Sequence, residues 1–219
     1  FHTSDEDFKK EYENMRDTYS KIFEKVGLKF DIVPADNGYF GGDYCDEFVV
    51  ESEVGESKYF VSEDRNYIAH EDVAKFALID INPDDEIEEI EVVEQPEWVK
   101  TMEDNIKHYG LPAERFLKNV VYKNRVSGKI VIVTIRGDLQ VNKNKLEHAL
   151  DMVGLLDDAT NEDLESIGTK HGSVHSWGYD NENILFVGDL SLKTVKNFIG
   201  GQKEEKTDNY LVQRCWKNA

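Results

Sequence analysis

The chain has 219 residues, 39% of them hydrophobic and 32% charged, a length and balance that suit one large or two small globular domains. No apolar run reaches the roughly 18 residues a membrane-spanning helix needs. The formal charge is −19, which disfavours phosphate binding by the chain as a whole.

That acidity is unevenly placed. Residues 1–98 hold 9 basic and 28 acidic side chains, whereas 99–219 hold 17 of each. The break marks two domains and leaves the neutral half free to approach RNA through local basic patches. Two cysteines, Cys45 and Cys215, are too few for a disulfide framework or a four-ligand metal site, and point to a reducing cytoplasm. No signal peptide is expected, and the missing initiator Met suggests that residue 1 lies inside a longer gene product.

In chain order, residues 4–26 predict an amphipathic helix. Phe8, Tyr12, Met15, Tyr19, Ile22, Phe23 and Val26 recur every three or four positions, with Ser4 as N-cap and Gly27 as the stop. Residues 28–33 alternate like a strand, ended by Pro34 and a loop over 36–43. Residues 47–54 and 58–62 flank Gly55-Glu56-Ser57 and predict a hairpin. Residues 80–97 are strongly acidic and predict a solvated connector, with Ile87, Ile90 and Val92 able to form a short edge strand. Trp98, Met102, Ile106 and Tyr109 predict a short helix closed by Gly110. Residues 116–122 fit a helix or a strand. The β-branched run in 129–135 predicts a buried strand. Helices are predicted over 143–153, over 161–167 behind Thr160, and over 191–199 before Gly200-Gly201. Strands are predicted over 184–187 and 210–212.

Particular residue strings go further. The opening Phe1-His2-Thr3-Ser4 with its helix, the turn Ala35-Asp36-Asn37-Gly38-Tyr39-Phe40-Gly41-Gly42, Cys45-Asp46-Glu47-Phe48 and Tyr67-Ile68-Ala69-His70-Glu71 resemble bacterial-type prolyl-tRNA synthetases after class II motif 2. Leu117-Lys118-Asn119-Val120, Ile135-Arg136-Gly137-Asp138, 141–145 and Val187-Gly188-Asp189 resemble that family's insertion domain, a relative of free-standing aminoacyl-tRNA deacylases. Gly200-Gly201-Gln202 stands where the family often has Gly-Ala-Asn. The implied fold is α+β: an antiparallel class II catalytic-domain fragment (1–85), an acidic connector (86–97) and a mixed α/β YbaK-like editing domain (98–219).

The resemblance also implies function. The intact enzyme would attach proline to tRNA(Pro) with ATP and Mg2+, as a cytoplasmic homodimer without membrane attachment. No cofactor is expected on this segment alone, because most of motif 2 and all of motifs 1 and 3 fall outside it. Phe40, Gly41, Gly42 and Glu47 would line the proline pocket. Glu47 would pair with the substrate amine and Phe40 would pack on the pyrrolidine ring. The insertion domain would hydrolyse alanyl-tRNA(Pro), because alanine is smaller than proline and the synthetic pocket cannot exclude it. Lys118 and Asp189 are its implied catalytic residues, with Gly172 and Ser173 on the loop that shapes the small pocket.

Three departures stand out. Asp46 replaces a usual His, Ser176 replaces the proline of the family's Gly-x-x-x-Pro loop, and Asp208-Asn209 occupies the region of an expected histidine. They leave a second reading open, in which the insertion is a non-catalytic tRNA-binding or structural module. No metal site is expected. His171 and His175 are four apart, but Gly172 and Ser173 make the stretch a loop; by the resemblance His175 could partly substitute for the expected histidine, although a lone histidine in a polar loop is expected to be solvated. The acidic run 84–94 lacks the order of a calcium loop.

Overall fold

The computed structural model describes residues 2–42, 44–89, 92–176, 178–179, 182–204 and 207–212. The chain divides into two compact units, residues 1–75 and 76–219.

The first unit opens with helix α1 (Asp5–Val26). Ser4 Oγ accepts a hydrogen bond from Asp7 N at 3.2 Å. Gly27 ends the helix at φ +79°, a left-handed angle that glycine adopts without a Cβ penalty. The apolar stripe is only partly covered: no residue of α1 is buried, and Met15, Ile22 and Val26 remain 44%, 49% and 67% exposed, so the contacts come from its aromatic side chains. Phe23 lies 5.3 Å from Phe30 and 5.4 Å from Phe48, and Tyr19 lies 5.6 Å from Phe48, ring to ring. Strand β1 (Asp31–Pro34) pairs antiparallel with β2 (Asp46–Val49), and β3 (Tyr59–Val61) pairs antiparallel with β4 (Ile68–His70). The expected hairpin across 55–57 does not form. Each of its two strands takes a different partner, because Phe48 belongs to the α1 aromatic cluster and β2 ladders with β1.

In the second unit, the acidic stretch leaves most of its carboxylates exposed but fastens its backbone to residues 194–197. Ile81 N donates to Thr194 O at 2.8 Å. The Asn82 amide brackets Lys196 through its N–H and its C=O. The Asn197 side chain donates to Glu86 O at 2.7 Å and accepts from Glu88 N at 3.1 Å. This stretch is therefore docked rather than free. It continues into β5 (Val92–Glu94) and helix α2 (Met102–Tyr109), which starts at a reciprocal Thr101/Asp104 capping box.

The ambiguous segment after residue 116 is a strand, β6 (Leu117–Asn124), paired antiparallel with β7 (Ile130–Arg136). Next come helix α3 (Lys143–Ala149), strand β8 (Leu156–Asp158), helix α4 (Asn161–Ser166) and strand β9 (Ile184–Gly188). The sheet order is β8-β6-β7-β9, mixed because β7 and β9 run parallel. β7 is central and buried from Ile130 to Ile135, which explains its unbroken β-branched run. Tyr122, Val131, Val133, Leu146 and Leu156 form the main core.

The helix expected over 191–199 is instead a 3₁₀ segment, Leu190–Thr194, followed by strand β10 (Phe198–Glu204). β10 pairs with β11 (Thr207–Val212), which also pairs with β5. Asn197 at φ +56° breaks the helical path. Leu192, Val195 and Phe198 still reach one apolar cluster, with Leu117 against it. Among the described residues, no helix is long and apolar enough to cross a membrane.

Candidate functional site

The site in the second unit is built on one edge of β6. β8 pairs with β6 only from Tyr122 onward, so the first half of β6 lacks that neighbour. Ladder bonds alternate along a strand. Phe116 O accepts from Gly137 N and Asn124 N donates to Lys129 O, so the even-numbered residues bond toward β7. The N–H and C=O of Asn119 therefore point to the uncovered edge.

A cavity of about 580 Å³ runs along that edge, within the size range of small-molecule pockets. Residues 117–121 form its floor. Val99, Thr101, Met102 and Asn105 also line it. Asp158, Leu164, His171, Gly172 and Val174 contribute to the lining, together with Ile199 and Gly200.

Lys118 lines this cavity. Burial pushes its ammonium pKa down from the ordinary lysine range, while the charge of Asp138 pulls the other way. Asp138 is itself held by a bidentate pair with Arg136, at 2.7 and 2.9 Å. Lys118 forms no hydrogen bond or ion pair among the described residues. Such a cation is available to a carbonyl or phosphate oxygen.

Gly172 also lines the cavity, at φ +82°. Ser173 does not. Its backbone is used by the loop's own turn, Ser173 N donating to Lys170 O and its carbonyl accepting from Thr169 Oγ1 at 2.9 Å. Asp189 is also absent from the lining. Its carboxylate accepts from Ser191 N at 2.8 Å and caps the 3₁₀ segment. The structure thus brings Lys118 and Gly172 together and leaves Asp189 as a cap. His175, expected to be solvated, is 5% exposed. Its ring meets Tyr179 at 4.4 Å, and Tyr179 stacks on Phe186 of β9.

The 99–105 side of the cavity was not singled out in the sequence. The Thr101-x-x-Asp104 box signals a helix start there, and nothing in those residues signals a cavity wall.

In the first unit, Phe40, Gly41 and Gly42 lie in the loop that joins β1 to β2. Gly41 and Gly42 have φ +68° and +113°. Phe40 is 83% exposed. Glu47, exposed on β2, pairs in register with Val33 at the base of that loop. Asp46, at the position of the departure, is bound by Arg16 at 3.1 Å. Among the described residues, no three His, Cys, Asp or Glu side chains gather to hold a metal ion.

Comparison with known proteins places these features. Residues 96–211 match the family described as the aminoacyl-tRNA editing domain. A proline–tRNA ligase of Fusobacterium nucleatum subsp. nucleatum is 39% identical over 205 residues, covering 94% of this chain and 35% of the ligase. Those of a Sulfurihydrogenibium species and of Thermotoga maritima are 36% and 32% identical, again over 94% of this chain and 35% of theirs. The chain thus spans about a third of the length of these relatives. A solved structure described as a candidate trans-editing enzyme for prolyl tRNA synthetase overlays 55% of this chain and 74% of its own, at 18% identity and a TM-score of 0.49.

Proposed function

This chain belongs to the aminoacyl-tRNA editing domain family, and from that premise we propose that its second unit hydrolyses alanyl-tRNA(Pro) within a proline–tRNA ligase. The observation that carries the reading is the β6-edge cavity, with Lys118 and Gly172 in its lining. Ester cleavage adds water across the acyl–oxygen bond, releasing alanine and a free ribose hydroxyl. The difficult point is the tetrahedral oxyanion, which a fixed cation or N–H donor stabilises. The Lys118 ammonium, without a hydrogen bond or ion pair among the described residues and with Asp138 acting on it only through its charge, would contact the ester carbonyl or the adjoining phosphate. The loop at 172–174 would shape the part of the cavity that receives the amino acid. The whole cavity is much larger than an alanyl group, so it would also admit the terminal nucleoside. Asp189 would contribute through its cap, by setting the 3₁₀ segment after β9.

The first unit would be a portion of a class II aminoacylation domain. Phe40, Gly41, Gly42 and Glu47 would belong to its proline pocket. ATP with Mg2+, tRNA(Pro) and proline would be substrates of the complete ligase, which would act as a homodimer in the cytoplasm. The residues that grip ATP would come from segments outside this chain.

A non-catalytic insertion is the alternative that Ser176 favours, since a loop without its proline is less restricted in φ. Deacylation of alanyl-tRNA(Pro) separates the two readings. Lys118→Ala is expected to lower the rate about 100-fold, the scale of losing one oxyanion donor. Tight tRNA binding by the wild-type chain with hydrolysis no faster than buffer would establish the non-catalytic module instead.

A further inference from the structure

Asn119 follows Lys118 on β6, and successive side chains of a strand leave opposite faces. Its amide is used at both ends. Thr134 lies directly across the ladder from Asn119 and is 1% exposed. Its hydroxyl donates to Asn119 Oδ1 at 2.7 Å. Asn119 Nδ2 then donates to the carbonyl of Val174 at 2.9 Å. The two contacts fix which way the amide points. The flipped orientation would set the amide oxygen against the Val174 carbonyl, two acceptors with no proton between them.

Val174 lies midway in the 172–176 loop, and both Val174 and Asn119 line the cavity. The Ser173 and Thr169 bonds close the loop on itself. The Asn119 bond crosses to the sheet instead, to the residue beside Lys118. At the far end of the loop, buried His175 is held against Tyr179. The loop is therefore anchored to β6 at residue 174 and through an aromatic contact at residue 175.

We propose that Asn119 is a positioning residue that clamps the 172–176 loop to the strand carrying Lys118. A proline would restrict the loop by fixing φ at one residue. The clamp restricts it by tying one carbonyl to the half-buried Asn119, itself held by the buried Thr134 hydroxyl. The consequence for catalysis rests on the deacylase reading above; the consequence for the loop does not.

The test pairs amide hydrogen exchange over 171–176 with deacylation kinetics in the same preparations. Asn119→Asp keeps the acceptor for Thr134 but replaces the donor facing Val174 with an acceptor. Exchange over 171–176 is expected to rise about tenfold, the scale of one lost hydrogen bond, with β7 amides unchanged. The alanyl-tRNA(Pro) kcat/KM is expected to fall by a similar factor. Adding Ser176→Pro to Asn119→Asp is expected to restore the loop's protection and most of the rate. Thr134→Val, which leaves the amide present but unoriented, should reproduce the effect in part and serves if Asn119→Asp does not fold. Unchanged exchange over 171–176 in either variant, or a loosened loop that Ser176→Pro does not tighten, would overturn the proposal. A wild-type chain without hydrolysis would remove the deacylase reading while the exchange result still decides the clamp.

Discussion

Gly200→Ala is expected to force β10 away from β6. The added Cβ would lie 2.5 Å from Leu117 Cβ, 2.9 Å from its Cγ and 3.0 Å from its Cδ1. Carbon atoms in good contact stand about 3.5–4.0 Å apart. The nearest atom is a Cβ, so a rotamer change at Leu117 does not relieve the clash and the backbones must separate. Overpacking of this kind costs about 1–3 kcal/mol. At ~2–4 °C per kcal/mol for a chain of this size, Tm should fall by about 2–12 °C. The cause is separable in a double-mutant cycle with Leu117→Gly, which removes the obstructing Cβ. Leu117→Gly is destabilising alone, because Leu117 packs on Leu192, Val195 and Phe198. The pair should then be less destabilised than the sum of the singles by roughly 1 kcal/mol or more. Thermal unfolding followed by circular dichroism measures all four proteins. An unchanged Tm for Gly200→Ala, or additivity within about 0.5 kcal/mol, would mean that a methyl group fits beside Leu117 without displacing β10.

Three further outcomes are expected. Lys118 has its pKa lowered by burial, so its charged form costs stability below the folded pKa, and that cost disappears as pH rises toward the unfolded value of 10.5. Lys118→Met should therefore raise Tm at pH 7, with the gain shrinking near pH 10, even as deacylation is lost. Asp163 has its pKa lowered by Lys123, 2.6 Å away, and by the Thr160 N–H. Its contribution is present above the unfolded value of 3.8 and lost as pH falls through the lower folded one, so Asp163→Asn should flatten the acid limb of a stability–pH profile below about pH 4. Glu147 is 5% exposed and accepts from Gly154 N at 2.8 Å and Leu156 N at 3.0 Å. Glu147→Ala leaves both donors without this acceptor, and a urea titration should show a loss of roughly 1–3 kcal/mol for each that stays buried and unsatisfied.

Much of the architecture was legible where one local signal and one tertiary role agree. Ser4 and Gly27 bracket α1 as capping rules require, and the apolar run of β7 announces a strand buried on both faces. Misreadings arose where local and long-range signals diverge. Gly55 makes a turn, yet the strands beside it find partners elsewhere, and turn chemistry carries no information about ladder choice. Leu192, Val195 and Phe198 have helical spacing and do reach one cluster, but through a 3₁₀ turn and a strand. Of the residues singled out in the sequence, Lys118 and Gly172 line the candidate cavity. The far wall at 99–105 and the Asn119 clamp depend on contacts between segments tens of residues apart, which no single-sequence spacing encodes.

Editing by this chain is decided by the rate at which the wild-type protein releases amino acid from alanyl-tRNA(Pro), measured beside prolyl-tRNA(Pro) and buffer. A small-amino-acid editing site predicts alanyl ester hydrolysis well above buffer and faster than that of the prolyl ester. Alanyl-tRNA(Pro) that decays no faster than in buffer, or prolyl-tRNA(Pro) cleaved equally well, would contradict it.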